Sequence, residues 1–283
     1  MIENRPLLNL ISHLILCLGV LVVAFPIWIA FVASTHAPEA LNSGTVPLWP
    51  GDRFVLNYAM ALGLETGQKT LNVNLISMLG NSLIMALGIT IGKLLISMLA
   101  AYAIVFFRFR FRMLSFWLIF ITLMLPVEVR IMPTFEVVAD LGLLNSYSGL
   151  ILPLIASATA TFLFRQFFLT VPHELIEAAR MDGAGPIRFF IDILLPLSRT
   201  NLAALFVIMF IYGWNQYLWP LLITTDEHYY TVVMSIQRML AVGDAEVAWH
   251  LVMPSTLMAM LPPVLVVILM QRLFIKGLVE TEK

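Results

Sequence analysis

The distribution of apolar and polar positions along the chain predicts a protein built mainly of membrane-spanning helices. Long stretches with few charged residues recur, each near the roughly 20 residues that a helix needs to cross about 30 Å of hydrocarbon. The predicted spans are residues 11–33, 76–106, 113–135, 147–168, 201–224 and 254–275. The third span is the least regular, with interruptions at Pro126, Glu128, Arg130 and Pro133. The expected fold is an all-α membrane protein with six transmembrane helices in a single domain, residues 1–283.

Composition supports the same class. Apolar residues make up 60% of the chain and charged residues 12%, with a mean hydropathy of +0.94, which excludes an ordinary soluble domain of this length. The first span is longer than the apolar part of a usual signal peptide, and no small-x-small cleavage pattern follows Pro26. We therefore expect this segment to remain as a membrane anchor.

The basic residues predict the orientation of the chain. With both termini in the cytoplasm, the outer side holds only Arg53, Lys69, Arg130 and Arg238, and Lys93 falls within a span. The inner side then holds Arg5, Arg108, Arg110, Arg112, Arg165, Arg180, Arg188, Arg199, Arg272, Lys276 and Lys283. This bias follows the positive-inside rule. It predicts a multi-pass membrane protein with residues 169–200 in the cytoplasm.

The segment at residues 169–200 combines charge with helix-forming residues. Pro172 sets the first turn of a short helix, and Glu174 places negative charge at its positive end. Gly183 is suited to the left-handed conformation that ends a helix, and Pro186 starts a second helix. The first helix has one shallow apolar face, at Leu175, Ala178 and Ala179. We expect a bent pair of helices.

The same segment carries a recognisable motif. Glu177-Ala178-Ala179, followed by Gly183-Ala184, Phe189-Phe190 and Pro196, resembles the EAA motif of permease subunits in ATP-binding-cassette (ABC) importers. Spacing alone leaves an ordinary amphipathic surface helix as the alternative. In that family the loop is the coupling helix, where Glu177 would engage a basic residue of the ATPase and Gly183 would fix the bend. The implied ATPase-docking residues are Glu177, Ala178, Ala179, Asp182, Gly183, Ala184, Phe189 and Pro196.

The resemblance covers the whole chain and is to the maltose-type carbohydrate permease family. Within it, residues 123–130, 156–168 and 210–220 are similar to permease subunits of sn-glycerol-3-phosphate importers. The resemblance implies import of sn-glycerol-3-phosphate or glycerophosphodiesters across the bacterial inner (plasma) membrane by alternating access. It also implies a heterodimer with a second permease, a cytoplasmic ATPase homodimer and a periplasmic substrate-binding protein. ATP and Mg would bind the ATPase, so no cofactor is expected in this chain. Membrane lipid is the other expected partner, and binding of nucleic acid is not expected.

Other functions find less support. A neutral sugar or oligosaccharide remains the alternative solute for the same architecture, whereas a secondary transporter would need inverted repeats and acids deep in its spans. The single Cys17 and the scattered histidines offer no metal or catalytic set, and no enzyme motif is present. Gly88 and Gly92 have three residues between them rather than the four of a phosphate-binding loop. They predict a face where another helix packs closely.

Polar residues within the spans are candidates for the substrate pathway. A charge near mid-span costs about 2.5–3.5 kcal/mol, so Lys93 needs a partner or water. Three roles are open for Lys93: an ion pair with the partner permease, snorkelling towards an interface, or direct contact with an anion. Arg130 is either a plain loop charge, an attractant for an anionic substrate or a contact for the binding protein. Trp214, Asn215 and Gln216 are pathway candidates, against an interfacial aromatic belt that includes Tyr217 and Trp219.

Overall fold

A computed structural model of the chain describes residues 6–42, 47–64, 75–122, 127–241 and 246–280, without the side chains of residues 6, 127–128 and 272–280. These ranges contain helices and no strand, which confirms the predicted all-α class. The helices are α1 (Pro6–Ser34), α2 (Pro38–Asn42), α3 (Phe54–Ala61), α4 (Leu75–Phe106), α5 (Arg112–Ile121), α6 (Val127–Asp140), α7 (Tyr147–Ile151), α8 (Ala158–Leu169), α9 (His173–Met181), α10 (Pro186–Phe189), α11 (Leu195–Leu197), α12 (Arg199–Trp214), α13 (Leu218–Ile223), α14 (Val232–Leu240) and α15 (Trp249–Glu280).

Three described helices are long and apolar enough to cross a membrane: Leu7–Ser34, Leu75–Phe106 and Trp249–Gln271. They agree with the first, second and sixth predicted spans. Two further spans are possible as bent helix pairs, Tyr147–Leu154 with Ala158–Leu169 at 47° and Pro186–Leu197 with Arg199–Trp214 at 74°. The count of six stays a prediction.

The third, fourth and fifth predicted spans are not single straight helices. In the fourth, the Ser157 hydroxyl caps a new helix by accepting a hydrogen bond from the Ala160 N–H at 3.2 Å. In the fifth, the continuous helix predicted over 201–224 is wrong, because α12 ends at Trp214 and α13 begins at Leu218. Pro220 explains this break, since its ring would clash with the Gln216 carbonyl in a continuous helix.

Several predicted positions lie outside the described residues. These are Arg5, Lys69, Lys283, residues 123–126 with Pro126 and, for their side chains only, Glu128, Arg272 and Lys276. The chain also divides into two compact units, Met1–Ser77 with Ser235–Leu261, and Met78–Met234 with Pro262–Lys283. The expectation of a single domain therefore stays a prediction.

In the first unit, α1 is followed by a tightly bonded turn. The side chains of α1 are mostly exposed in the isolated chain, as expected for a helix that faces lipid or another subunit. At its end, the Asn57 amide donates to the carbonyls of Ser34 and His36, both at 2.9 Å. The Thr35 hydroxyl accepts from the Gly51 N–H at 2.7 Å. These bonds fix α3 against the end of α1.

In the second unit, small residues allow helices to approach closely. A methyl group added at Gly88 would lie 2.7 Å from the Ile151 side chain, and one at Gly92 would lie 2.5 Å from Ile155. The close packing predicted for these glycines is therefore present, and the packing partner belongs to the same chain. A methyl group added at Gly213 of α12 would likewise lie 3.0 Å from the Cα of Ala86 in α4.

Two asparagines hold the segment between α13 and α14. The Asn81 amide donates to the carbonyls of His228 at 2.6 Å and Tyr230 at 3.0 Å. The Asn145 side-chain oxygen accepts from the N–H groups of Thr225 and Asp226 at 2.7 and 2.9 Å. The His228 N–H donates to the Asp226 carboxylate, which lowers the pKa of Asp226. Hydrogen bonds to Asn81 and Asn145 thus hold this segment in place.

Candidate functional site

The segment from α9 to α11, residues 173–197, has the predicted bend. Helix α9 begins at His173, one residue after Pro172, with Glu174 in its first turn. Gly183 has φ +71°, and the Ala184 N–H donates to the Ala179 carbonyl at 2.9 Å. This is the left-handed helix end that favours glycine. Helix α10 then begins at Pro186. We call this segment the α9–α11 loop.

The apolar face of α9 differs from the prediction. Ala179 is buried, at 4% exposure, and packs with Ile176, whereas Leu175 is exposed and Ala178 with it. The face that packs is therefore Ile176 with Ala179, rather than Leu175 with Ala178 and Ala179. The spacing of three residues is the same, but the row is rotated by one position, about 100° around the helix. Leu175 and Ala178 therefore lie on the free surface.

Aromatic side chains attach the underside of the α9–α11 loop to the end of α4. The Tyr102 hydroxyl donates to the Pro186 carbonyl at 2.9 Å. The ring of Phe106 lies 5.5 Å from that of Phe189, and Tyr102 lies 5.0 Å from Phe190 between centroids. Phe189 is buried in this cluster. Such pairs each add about 0.5–1.5 kcal/mol beyond burial, so the loop is held rigidly on α4.

Pro196 lies inside helical structure rather than closing it. A π-helical turn, Phe190–Leu194, precedes α11, which spans Leu195–Leu197 and contains Pro196. Because proline has no N–H and its ring crowds the carbonyl four residues earlier, a wider turn at this place relieves the conflict. Pro196 therefore shapes the path from the α9–α11 loop into α12.

The free surface of the α9–α11 loop carries both charge and apolar area. Glu177, Asp182 and Gly183 are exposed, while Ala184 is half-buried. Met181 and Ile187 are 87% and 76% exposed, unusual values for large apolar side chains. A groove of about 900 Å³ adjoins this surface, with Tyr102, Arg108, Arg112, Glu177, Arg180 and Phe189 among its lining residues. Chemically, the surface is suited to binding a folded protein partner.

A second candidate site surrounds Lys93 in α4. The Lys93 side chain is 5% exposed, and its Nζ lies 3.6 Å from the centroid of the Tyr212 ring of α12. Lys93 has no carboxylate partner among the described side chains, whose ion pairs are Arg188 with Asp192 and His228 with Asp226. An enclosed ammonium also does not snorkel to an interface. Lys93 thus lies in a cation–π contact within its own chain.

Arg130 and Gln216 lie around the same ring. The exposed Arg130 of α6 is within electrostatic range of both Lys93 and Tyr212. Its neighbour Ile131 packs on the same apolar cluster as Tyr212. The Gln216 amide donates to the Tyr212 carbonyl at 3.2 Å. The structure therefore brings together Lys93 of α4, Arg130 of α6 and Gln216, which follows the end of α12.

Sequence reasoning missed Tyr212 and misplaced Trp219. A signal for Tyr212 existed, because a lysine in a span without deep acids requires some other partner, such as an aromatic ring. Trp214 is buried and stacks on Phe210 at 5.8 Å between ring centroids, and its place on the substrate pathway stays a prediction. Trp219 is also buried and donates to the Gly149 carbonyl at 3.1 Å, so the aromatic-belt prediction is wrong for it. The break before α13 turns Trp219 inwards, whereas Tyr217 is exposed.

Comparison with known proteins now decides the family. Residues 93–279 match the family described as binding-protein-dependent transport system inner membrane component. The chain belongs to this family. The match begins at Lys93 and includes the whole α9–α11 loop, so both candidate sites lie in the part that family members share. The predicted resemblance to importer permeases is confirmed.

Relatives of this inner membrane component cover its full length. The sn-glycerol-3-phosphate transport system permease protein UgpE of Agrobacterium fabrum (strain C58 / ATCC 33970) is 59% identical over 285 residues, covering all of both chains. The protein of the same name from Escherichia coli (strain K12) is 56% identical over 283 residues, again covering both completely. These relatives are transport permeases rather than enzymes.

A solved structure shows the same fold. It is a bacterial ABC transporter involved in the import of the acidic polysaccharide alginate, and one of its chains aligns with a TM-score of 0.80. The alignment covers 96% of this chain and 98% of that chain, at 21% sequence identity. The likeness is one of architecture.

Proposed function

We propose that the chain is a permease subunit of an ATP-driven importer that carries sn-glycerol-3-phosphate, and glycerophosphodiesters, across the bacterial inner membrane. One observation carries this proposal: relatives named as sn-glycerol-3-phosphate permeases are 56–59% identical over the full length of the chain. The cation cluster around Tyr212 is consistent with a solute that bears a phosphate group.

The proposed topology has six spans with both termini in the cytoplasm. Helix α5 and the start of α6 would form the third span, and the bent α7–α8 pair the fourth. Helix α12 with α13 would form the fifth. The positive-inside bias supports this orientation. It places the α9–α11 loop in the cytoplasm and the bonded segment after α13 in the periplasm.

In this topology, the α9–α11 loop is the coupling helix that docks on the ATPase. The exposed residues Glu177 and Asp182 would meet the ATPase surface, together with Ala178 and the apolar Met181 and Ile187. The buried members of the motif have another task. Ala179 and Phe189 hold the loop on α4, Gly183 with Ala184 fixes its bend, and Pro196 directs the chain into α12.

The proposed assembly contains a second permease, two copies of a cytoplasmic ATPase and a periplasmic substrate-binding protein. The mostly exposed apolar surface of α1 is available for lipid or for the second permease. ATP and Mg would be bound by the ATPase, so this chain would need no cofactor. ATP-driven closure would move the α9–α11 loops, and packed helices would rock as rigid units to alternate access.

The proposal is tested with the purified complex in proteoliposomes, with its binding protein present. We expect ATP-dependent uptake of sn-glycerol-3-phosphate and stimulation of ATP hydrolysis by the binding protein loaded with this solute. Glycerol and a neutral disaccharide serve as controls. Uptake of the disaccharide, with none of sn-glycerol-3-phosphate, would reject the proposed solute while retaining the importer.

A further inference from the structure

The surroundings of Lys93 set it apart from the other polar residues of the spans. Its ammonium is almost fully enclosed by its own chain and lies 3.6 Å from the centre of the Tyr212 ring. A cation held over an aromatic face is partly stabilised, but the ring supplies no negative charge that would neutralise it. No carboxylate among the described side chains therefore compensates the positive charge of Lys93.

A second cation near the first makes this arrangement unusual. The Arg130 guanidinium is within electrostatic range of Lys93, and two like charges repel each other. Glu136 and Asp140 of the same helix form an ion pair with neither cation within the described residues. A buried ammonium with a second cation near it and no carboxylate partner among the described side chains, which do not include that of Glu128, is electrostatically incomplete. An anion entering the site would remove the repulsion and satisfy both donors.

The geometry also fixes the positions of these groups. Lys93 follows Ile89 by one helical turn, and Ile89 belongs to the apolar cluster on which Ile131 and Tyr212 pack. Gly92, next to Lys93, packs closely against Ile155. Lys93 is therefore held over the ring before any solute arrives, and the helix that carries Arg130 packs on the same cluster through Ile131. Such preorganisation lowers the cost of binding.

We propose that Lys93 and Arg130, arranged around the Tyr212 ring, bind the phosphate group of the solute as it passes through the membrane. The inference rests on the proposed function, because the phosphate is that of sn-glycerol-3-phosphate. The two side chains offer both recognition modes for phosphate, a compact ammonium and a planar guanidinium fork. A phosphomonoester carries nearly two negative charges near neutral pH and a phosphodiester one, so the site favours the monoester.

The test uses the complete importer in proteoliposomes, saturated with loaded binding protein. The quantity measured is the solute imported per ATP hydrolysed, because saturation removes the affinity of the binding protein from the result. Lys93→Met should lower this ratio about tenfold for sn-glycerol-3-phosphate, the size expected for a lost charged hydrogen bond. The loss should be smaller for a glycerophosphodiester, and Lys93→Arg should restore most of the ratio.

Arg165→Met is the matched control. Arg165 also lies over a ring, with its guanidinium carbon 4.1 Å from the centroid of Phe116, but it has no part in the Lys93 cluster. We expect its ratio of solute to ATP to match the wild type. A purely structural role of Lys93 would instead lower assembly and ATP hydrolysis together, with no difference between the two solutes.

Each outcome decides the inference. An unchanged ratio in Lys93→Met, or an equal loss in Arg165→Met, overturns it. If Lys93→Met does not assemble, Arg130→Gln gives the same comparison at an exposed position, and an unchanged ratio there overturns the proposal equally. If the wild-type complex imports no sn-glycerol-3-phosphate, the proposed function itself has failed, which is distinct from a failure of the site.

Discussion

The α9–α11 loop packs on α4 and the Lys93 site lies within α4, but the two regions place their charged side chains in opposite environments. The loop presents charge and large apolar side chains to the exterior, and buried aromatic rings hold it from beneath. The Lys93 site encloses charge within apolar packing and has no carboxylate among the described side chains. The first surface is suited to another protein and the second to a small anion. The contrast shows how one apolar chain separates two kinds of recognition.

Helix α4 connects the two regions. Tyr102, which bonds the loop, follows Lys93 by nine residues, a distance of about 14 Å along a helix. Gly88 and Gly92 pack this helix against the α7–α8 pair. A rigid, closely packed helix moves as a unit, so a displacement of the loop would reach Lys93 without deforming the chain between them.

The largest effect is expected for Gly183→Val, which should abolish uptake while the protein remains in the membrane. A β-branched residue at φ +71° is strained by roughly 1–2 kcal/mol and redirects the end of α9. Gly142→Val is the matched control, because Gly142 has φ +67° and open space around its Cα, as Gly183 has. Uptake is compared at equal membrane levels. Equal losses in both variants would contradict a specific role of the loop.

Glu177→Lys should lower uptake and solute-stimulated ATP hydrolysis by about tenfold or more, a change of about 1.4 kcal/mol. Glu177 is exposed, so the substitution reverses a surface charge without disturbing the core. Glu174→Lys makes the same change one turn earlier on α9 and should retain most activity. Binding of the ATPase is measured by co-purification. Normal uptake in Glu177→Lys with the ATPase bound would remove this residue from the docking surface.

The sequence predicted the loop better than the Lys93 site for a physical reason. Gly183 and Pro186 act through local backbone geometry, which neighbouring residues determine, and the bend formed where it was expected. The rotation of the packed face to Ile176 depends on α4, which lies far away in sequence. The partner of Lys93 likewise comes from α12, more than a hundred residues later. Pairing across such distances is not encoded in spacing.

A smaller effect is expected for Tyr102→Phe, which removes the hydrogen bond to the Pro186 carbonyl but keeps the ring. One such bond contributes about 1 kcal/mol. We expect ATP hydrolysis without uptake to rise about two- to fivefold as the loop loosens on α4. Tyr147→Phe is the control, since it removes a hydroxyl bonded to Asn81 at 2.7 Å, outside the loop. A rise of the same size in both variants would show a general loss of stability.

The smallest effect is expected for Asn215→Leu. Asn215 is exposed at the end of α12, and no hydrogen bond of its side chain is found in the described part of the chain. Its replacement should change uptake by less than about twofold, within the usual range for surface substitutions. Gln216→Leu removes the bond to the Tyr212 carbonyl beside Lys93 and should lower the solute imported per ATP about threefold. A larger loss of uptake in Asn215→Leu than in Gln216→Leu would place the substrate pathway along the exposed end of α12. Asn215, rather than the residues around the Tyr212 ring, would then be the residue that contacts the solute.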